Sequence, residues 1–290
     1  MPIQPGYFGL SGIRMEDASI DLGHGVLLTR TYAHLMAPYV MAFAPALPGR
    51  PHPGPWKAAL GGTGIDVTAQ LMVPGTAASD DAPPLRIARA IVFLIRLWNT
   101  PEVVISVLAT HDFGELKDVP DNVARIVPYD TRERHFPLRS PDGPVTGEGV
   151  EWVKTHWQAT LSLAGSSSEF RYAMDAMDAG QFIPNGALTL VSLWGALEAM
   201  FAPSAGELSF RVSSLLAAYL EPPGPGRIAL QKSVARLYGR RSKAAHGRPD
   251  HGDDDLLDTF SLLRRVLIKM VEARSVPGRE QLEAMLLGGQ

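Results

Sequence analysis

The feature of this sequence that most constrains its fold is a change in the spacing of apolar residues near residue 140. Ahead of that point, apolar residues recur at every second position within residues 65–73, a period typical of a half-buried strand. Beyond it they recur three and four apart, as in residues 190–201, which is the spacing of one helix face. We therefore expect an α+β chain, with a mixed α/β domain at residues 1–138 and an all-helical domain at residues 150–290.

The N-terminal part carries signals for four further elements. They are a hairpin at residues 19–31 that turns at 23–25, a loop at 45–55, a helix at 83–98 and a buried strand at 103–109. The loop contains five prolines, which exclude regular structure there. Residues 61–64 form a glycine cluster that stands before a strand and not before a helix. We interpret this cluster as a turn and not as a nucleotide-binding loop.

The C-terminal part contains six segments with helical spacing. They cover residues 150–163, 168–178, 190–201, 209–220, 228–245 and 256–271. Three aspartates at 253–255 precede the last segment, and acidic residues suit the N-terminus of a helix. Residues 137–149 are rich in proline and glycine and show no period, so we interpret them as the connection between the two domains.

The balance of charged residues excludes an overall basic surface. The 290 residues include 27 Lys and Arg against 30 Asp and Glu, a net charge of −3, so a polyanionic partner must be met by a local patch. Cysteine is absent, which excludes disulfides, thiolate zinc sites and cysteine nucleophiles. The start of the chain lacks the features of a secretory signal, and the apolar stretch at 87–98 is too short to span a bilayer. We therefore expect a cytoplasmic protein.

The eight histidines are scattered along the chain. Only His246 and His251, close to the aspartates at 253–255, have a spacing that a metal site could use, and a solvated loop is the simpler interpretation. We expect no metal and no other cofactor.

The segment RRSKAAHG at residues 240–247 brings cations next to a histidine at the end of a helix. Arg241 lies seven residues after Val234 and four after Leu237, which places it on the apolar face of that helix. A guanidinium there is costly unless it is paired or belongs to a site. Beside an imidazole, which titrates near neutral pH, it can hold a phosphate while a proton moves without a metal. The alternative is that a basic residue, His246 and Gly247 are ordinary choices for a helix C-terminus.

Three ordered segments of the helical part carry a resemblance to a known family. They are WGALEAMF at residues 194–201, LSFRVSSLLA at 208–217 and LYGRRSKAAHG at 237–247. Together they resemble the Apea-like branch of the HEPN superfamily, whose pattern is an ALE-type helix, a Ser-x-Arg helix start and a Tyr-x-x-Arg-Ser-x-x-x-His-Gly terminus. The resemblance covers the helical half only.

The resemblance implies a helical bundle that forms a homodimer through the C-terminal helices, so that two Arg/His motifs face one another. In active members this composite cleft is a metal-independent endoribonuclease, common in toxin–antitoxin and antiviral defence systems. Arg241 and His246 match the catalytic arginine and histidine, and Glu198 matches the glutamate of the ALE-type helix. Arg240 departs from the pattern, which has one arginine there, and leaves open which of the two faces the cleft.

The same resemblance suggests roles for the side chains around the motif. Glu198 would orient His246 or hold Arg241, although a structural ion pair is equally consistent with its position. Arg240 and two further cations, Lys243 and Arg248, would contact RNA phosphates, or would be solvated surface charges. Tyr238 would stack on a base, or would belong to the core.

Two hypotheses of function follow. The first is an RNA-cleaving effector whose N-terminal domain senses a signal or binds a partner such as an antitoxin or another defence protein. The second is a non-catalytic module of the same fold that binds RNA, a nucleotide or a partner protein. Both hypotheses need the same arginine, so the sequence does not separate them.

Overall fold

A computed structural model describes residues 4–98, 100–136, 138, 145, 147–202 and 208–287. The chain divides into two compact units. The first contains Met1–Ser79 and Val103–Thr131, and the second contains Asp80–Glu102 and Arg132–Gln290. The architecture is α+β, as the change in apolar spacing predicted.

The first unit is built on one antiparallel sheet. Its strands are β1 (Gly6–Ser11), β2 (Ser19–Asp21), β3 (Leu27–Ala42), β4 (Trp56–Val73), β5 (Val104–Ala109) and β6 (Ile126–Pro128). Their order across the sheet is β2-β3-β4-β1-β5-β6. The predicted hairpin is confirmed by the β2–β3 pairing, and the residues of its turn adopt positive φ at Gly23, His24 and Gly25. The predicted strands at 65–73 and 103–109 are confirmed as parts of β4 and β5.

Strands β3 and β4 extend far beyond their neighbours. The register pairs β2 only with residues 27–29 and β1 only with residues 69–73. The outer segments at 33–42 and 56–67 therefore pair only with each other among the described strands, and we call this two-stranded extension the arm. Away from Val67, which is buried at its base, several of its large apolar side chains are exposed, with Met36 at 74% and Trp56 at 58%. The predicted loop at 45–55 connects the two strands.

The prediction of a turn at residues 61–64 was wrong, because this glycine cluster lies inside β4. Gly61 and Gly62 have φ of 106° and 143°, where the strand departs from regular geometry opposite Pro38. A Cβ on Gly62 would stand 2.8 Å from the carbonyl oxygen of Ala37. The glycines thus allow an irregular strand, and not a reversal of the chain.

The second unit is helical. Its helices are α1 (Pro84–Trp98), α2 (Gly147–Ser166), α3 (Ser168–Ala179), α4 (Gly186–Phe201), α5 (Leu208–Leu220), α6 (Pro225–Ala245), α7 (Asp253–Ala273) and α8 (Arg279–Leu287). The six predicted helices of this part are confirmed, and α8 was not predicted. Helix α4 packs against α3, α5, α6 and α7. A bundle of this kind positions the candidate site, since α4 and α6 carry its side chains.

Helix α1 belongs to the helical unit, which differs from the predicted division at residue 138. Trp98 stacks on Trp152 of α2 with ring centroids 4.8 Å apart. Arg96 forms an ion pair of 2.6 Å with Asp178 of α3. The apolar surface of α1 is buried by contacts that are distant in sequence, which the local pattern could not reveal.

The predicted connection at residues 137–149 also ends earlier than expected. Helix α2 begins at Gly147, so its first turn occupies residues assigned to the linker. Residues 137, 139–144 and 146 lie outside the described residues. Ahead of them, Phe136 stacks on Phe260 of α7 at 5.8 Å, so the chain has joined the helical unit before this segment.

Candidate functional site

The contact between α4 and α6 rests on aromatic and aliphatic side chains. Trp194 is fully buried, and Leu237 and Tyr238 are 3% and 7% exposed. The rings of Trp194 and Tyr238 meet edge to face at 5.2 Å, an arrangement that aromatic quadrupoles favour. Of the two interpretations of Tyr238, the core role therefore agrees with the structure, because a ring at this depth presents no face to a base.

Arg241 extends from this contact to Glu198 on α4. Its Nη2 donates to Oε2 of Glu198 at 2.8 Å, and the two side chains are 22% and 21% exposed. The guanidinium carbon lies 5.7 Å from the centre of the Tyr238 ring. Burial first, and then the nearby Glu198 carboxylate, raise the pKa of Tyr238 above its ordinary value. Of the two roles predicted for Glu198, the structure contains the one in which it holds Arg241.

Three buried polar atoms around this pair have no hydrogen-bond partner among the described residues. They are Trp194 Nε1, Glu198 Oε1 and Arg241 Nε. A buried polar group without a partner costs about 1–3 kcal/mol, so most folded proteins satisfy nearly all of them. Local conflicts of this kind are common at functional sites, and the helical unit contains others, among them Asp178 Oδ1 and His251 Nδ1.

Arg240 points to a different partner, although it is the neighbour of Arg241. Its Nη1 lies 2.7 Å from Oδ2 of Asp250, and its Nε lies 3.4 Å from Oδ2 of Asp255. Lys243 contacts the same Asp250 oxygen at 2.6 Å. Lys243 and Arg240 lower the pKa of Asp250, while the hydrogen bond to Asp250 raises the pKa of Arg240. These ion pairs connect α6 to the segment before α7, and they compensate two of the cations predicted to contact RNA.

His246 follows the last residue of α6 and ends the helix as predicted. It is exposed, and Gly247 after it has a φ of +70°, the left-handed conformation common at a helix C-terminus. His246 follows Arg241 by five positions, which is about 140° around a helix axis. Among the described residues, no hydrogen bond or ion pair joins the imidazole to Arg241 or Glu198. The structure thus places both groups at one helix end without linking them.

Arg248 is exposed, and no carboxylate of the described chain forms an ion pair with it. Of the cations in this region it is the one whose charge faces solvent uncompensated. It therefore remains available for a phosphate contact.

The Ser-x-Arg segment contributes a structural contact. Arg211 lies 3.1 Å from Glu283 on α8, and Arg279 contacts the same carboxylate at 3.0 Å. The sequence reasoning missed Asp250, Asp255 and Glu283 as partners of the motif cations. Their only sequence signal is their charge, and acidic residues in loops and helix starts are too common to identify a partner.

Within the described residues, no group of three or more His, Cys, Asp or Glu side chains is arranged to hold a metal ion. His251 packs its ring against Gly186 at the start of α4, where a Cβ would stand 3.0 Å from Nε2. In the same part of the chain, no helix has the length and hydropathy that crossing a membrane requires.

Comparisons with protein-family models, with curated proteins and with solved structures found no match to this chain. The function must therefore be argued from the site itself.

Proposed function

We propose that the helical unit is a metal-independent endoribonuclease of the HEPN type, acting as a toxin or antiviral defence effector in the cytoplasm. The observation that supports this proposal most is the helix end at 241–247. There a guanidinium fixed by Glu198 and an exposed imidazole stand on one helix, with unsatisfied polar atoms beside them. A fixed guanidinium and an imidazole that can exchange protons are the components that metal-free phosphodiester cleavage needs.

The proposed reaction uses the nucleophile that RNA carries. The 2′-oxygen attacks the adjacent phosphorus while its proton leaves to a base, and the P–O5′ bond breaks while the 5′-oxygen receives a proton. The products are a 2′,3′-cyclic phosphate and a 5′-hydroxyl. His246 exchanges these protons. The motif contributes one imidazole per chain, so a homodimer through the C-terminal helices is the natural assembly, because the second copy supplies the second imidazole.

Arg241 stabilises the negative charge that develops on the phosphorane. Its Nη2 is occupied by Glu198 and its Nε is buried, so the remaining exposed donors meet the phosphate. Glu198 acts as a positioning residue that fixes the guanidinium. Arg248 adds a phosphate contact in the ground state.

A second candidate is a non-catalytic module that binds RNA, a nucleotide or a partner protein. It is favoured by the ion pairs of Arg240 and Lys243 with Asp250, which leave little uncompensated positive charge at the motif. It is also favoured by the absence, among the described residues, of a carboxylate that orients His246.

The experiment is cleavage of a labelled single-stranded RNA in excess chelator, with the same DNA sequence as a substrate that lacks the 2′-hydroxyl. We expect His246→Ala to reduce cleavage about 100- to 10,000-fold with little change in RNA affinity. Arg241→Ala should weaken both cleavage and binding, and Arg240→Ala should do less. His52→Ala, an exposed histidine of the other unit, is the matched control and should cleave normally.

Cleavage that requires a metal, or that survives the loss of His246, contradicts the proposed mechanism. RNA binding without cleavage, unchanged in His246→Ala, supports the non-catalytic module instead.

A further inference from the structure

A cavity lies between α1, α2 and α3, on a part of the helical unit separate from the α4–α6 contact. Its volume is about 300 Å³. It is lined by Pro83, Leu85, Arg86, Arg89, Ala90, Leu161, Ala164, Arg171, Met174, Asp175 and Asp178. Ligand cavities begin at about this size, and small organic molecules occupy them.

Part of the wall of the cavity is apolar. Leu85 from α1, Leu161 from α2 and Met174 from α3 are only partly buried, although each is apolar and lies inside the bundle. A long flexible methionine beside two leucines accepts flat or chain-like groups of varied shape. The wall therefore fits an aryl or short acyl body.

Three of the charges that line the cavity are compensated inside the protein. Arg89 forms an ion pair with Asp175 at 3.0 Å. Asp178 pairs with Arg96 at 2.6 Å. Because these two pairs are neutral, the net positive charge of the cavity comes from Arg86 and Arg171.

Arg86 and Arg171 have no ion-pair partner among the described residues, and backbone oxygens accept their hydrogen bonds. Arg86 Nη1 donates to the carbonyl of Asp81 at 2.6 Å, and Arg171 Nη1 donates to the carbonyl of Ala164 at 3.5 Å. A Cβ on Gly165 would stand 3.4 Å from Arg86 Nη2. Both guanidiniums therefore converge on the last turn of α2, at the rim of the cavity.

Helix capping accounts for only part of this arrangement. A cation near the C-terminus of α2 satisfies its last carbonyls, and Arg171 does so through one nitrogen. Arg86, on α1, donates instead to the carbonyl of Asp81, which lies outside α2. Its Nη2 is directed toward the same rim. Two guanidiniums retain most of their ten N–H donors, which suit a planar carboxylate.

We propose that this cavity binds a small amphipathic organic anion, an aryl or short acyl body that carries one carboxylate. The body contacts Leu85, Leu161 and Met174, and the carboxylate lies between Arg86 and Arg171. This inference uses no residue of the proposed ribonuclease site and does not depend on it.

The test is calorimetric titration of the full chain with 1-naphthoate, compared with its neutral isostere 1-naphthamide. We expect naphthoate to bind with one site per chain, and the neutral naphthamide to bind at least tenfold more weakly. Arg86→Gln and Arg171→Gln should each weaken naphthoate about tenfold, because each removes a charge-assisted contact. Arg50→Gln is a control elsewhere on the surface and should bind normally.

The exposed apolar arm could also attract an aromatic compound, so the location is tested separately. In methyl-labelled protein, the naphthyl ring should shift the Met174 signal and leave those of Met36 and Met41 unchanged. Circular dichroism and the melting temperature establish that each variant is folded. Absence of naphthoate binding at millimolar concentration, equal binding of naphthamide, equal affinity in all variants or shifts confined to the arm would each overturn the proposal.

Discussion

The ion pair between Arg241 and Glu198 can be tested by a double-mutant cycle that measures its coupling energy. The variants are Arg241→Met, Glu198→Met and the double variant, since methionine keeps much of the volume of both stems without a charge. Each single substitution leaves the other charge about four-fifths buried without its partner. The double substitution removes both charges and leaves an apolar contact between α4 and α6.

The expected size follows from the burial of the pair. Breaking a fully buried pair costs about 3–5 kcal/mol, whereas an exposed pair contributes about 0–1 kcal/mol. With exposures of 22% and 21%, we expect each single variant to lose about 2 kcal/mol of unfolding free energy. The double variant should lose about 1 kcal/mol and not about 4, because apolar replacement of a buried pair is often nearly neutral. The coupling energy is then about 3 kcal/mol, at the upper end for residues in contact.

The assay is urea unfolding followed by circular dichroism at 222 nm. The described α-helices all belong to the helical unit, so the helical signal reports on that unit. The exposed pair Arg279–Glu283, with exposures of 56% and 37%, provides a control cycle on the same molecule. Its coupling should be about 0.3–0.5 kcal/mol, as for other pairs four residues apart on a helix.

Additive single variants would refute the reasoning, because additivity means that the two side chains do not interact in the folded protein. A coupling no larger than that of the control pair would show that water reaches the ion pair and screens it. Either result would also remove the support that this contact gives to a fixed arginine at the proposed site.

Three further predictions concern other parts of the molecule. Gly180→Ala should lower the unfolding free energy by about 1–3 kcal/mol, measured in urea, because its Cβ would stand 2.7 Å from the ring of Phe260. Gly195→Ala is the matched control and should be neutral or stabilising, since its Cβ would meet only the hydroxyl end of a flexible, exposed tyrosine. Replacing residues 38–62 of the arm with Asn-Gly should leave the melting temperature within about 2 °C, because these side chains bury little surface; a large drop would show that the arm is packed. The lowered pKa of Asp250 means that its stabilising contribution is present above about pH 4, the ordinary range of an aspartate, and is lost as the pH falls through the lowered value. Asp250→Asn should remove that part of the pH dependence of the urea midpoint, and an unchanged profile would contradict the assignment.

Local patterns in the sequence predicted most of the secondary structure. The period of two in residues 65–73 and the apolar run at 103–109 correspond to β4 and β5. The three-and-four spacing predicted six helices of the helical unit. Helix α8 was missed because its nine residues include only one buried side chain, Leu282, so no apolar stripe is visible. The glycines at 61–64 were misassigned because the same residues that permit a turn also permit an irregular strand.

The candidate site was predictable in part. The spacing from Val234 and Leu237 placed Arg241 on the packed face of α6, and it is the less exposed of the two neighbouring arginines, at 22% against 34%. The pairing of Arg241 with Glu198 was one of two alternatives left open by the sequence. The pairing of Arg240 and Lys243 with Asp250 was not anticipated, because it depends on the path of the chain after Gly247.

The sequence by itself determined most of the strands and helices, which of their faces are apolar and where α6 ends, because these properties depend on residues within a few positions of each other. Tertiary structure alone decided that α1 packs with the C-terminal helices and that Arg86 and Arg171 meet at one cavity. Tertiary structure alone also decided which of the cations at residues 240–248 form ion pairs. The physical reason is that burial and ion pairing depend on distances between side chains that lie tens of residues apart, and no local period encodes those distances.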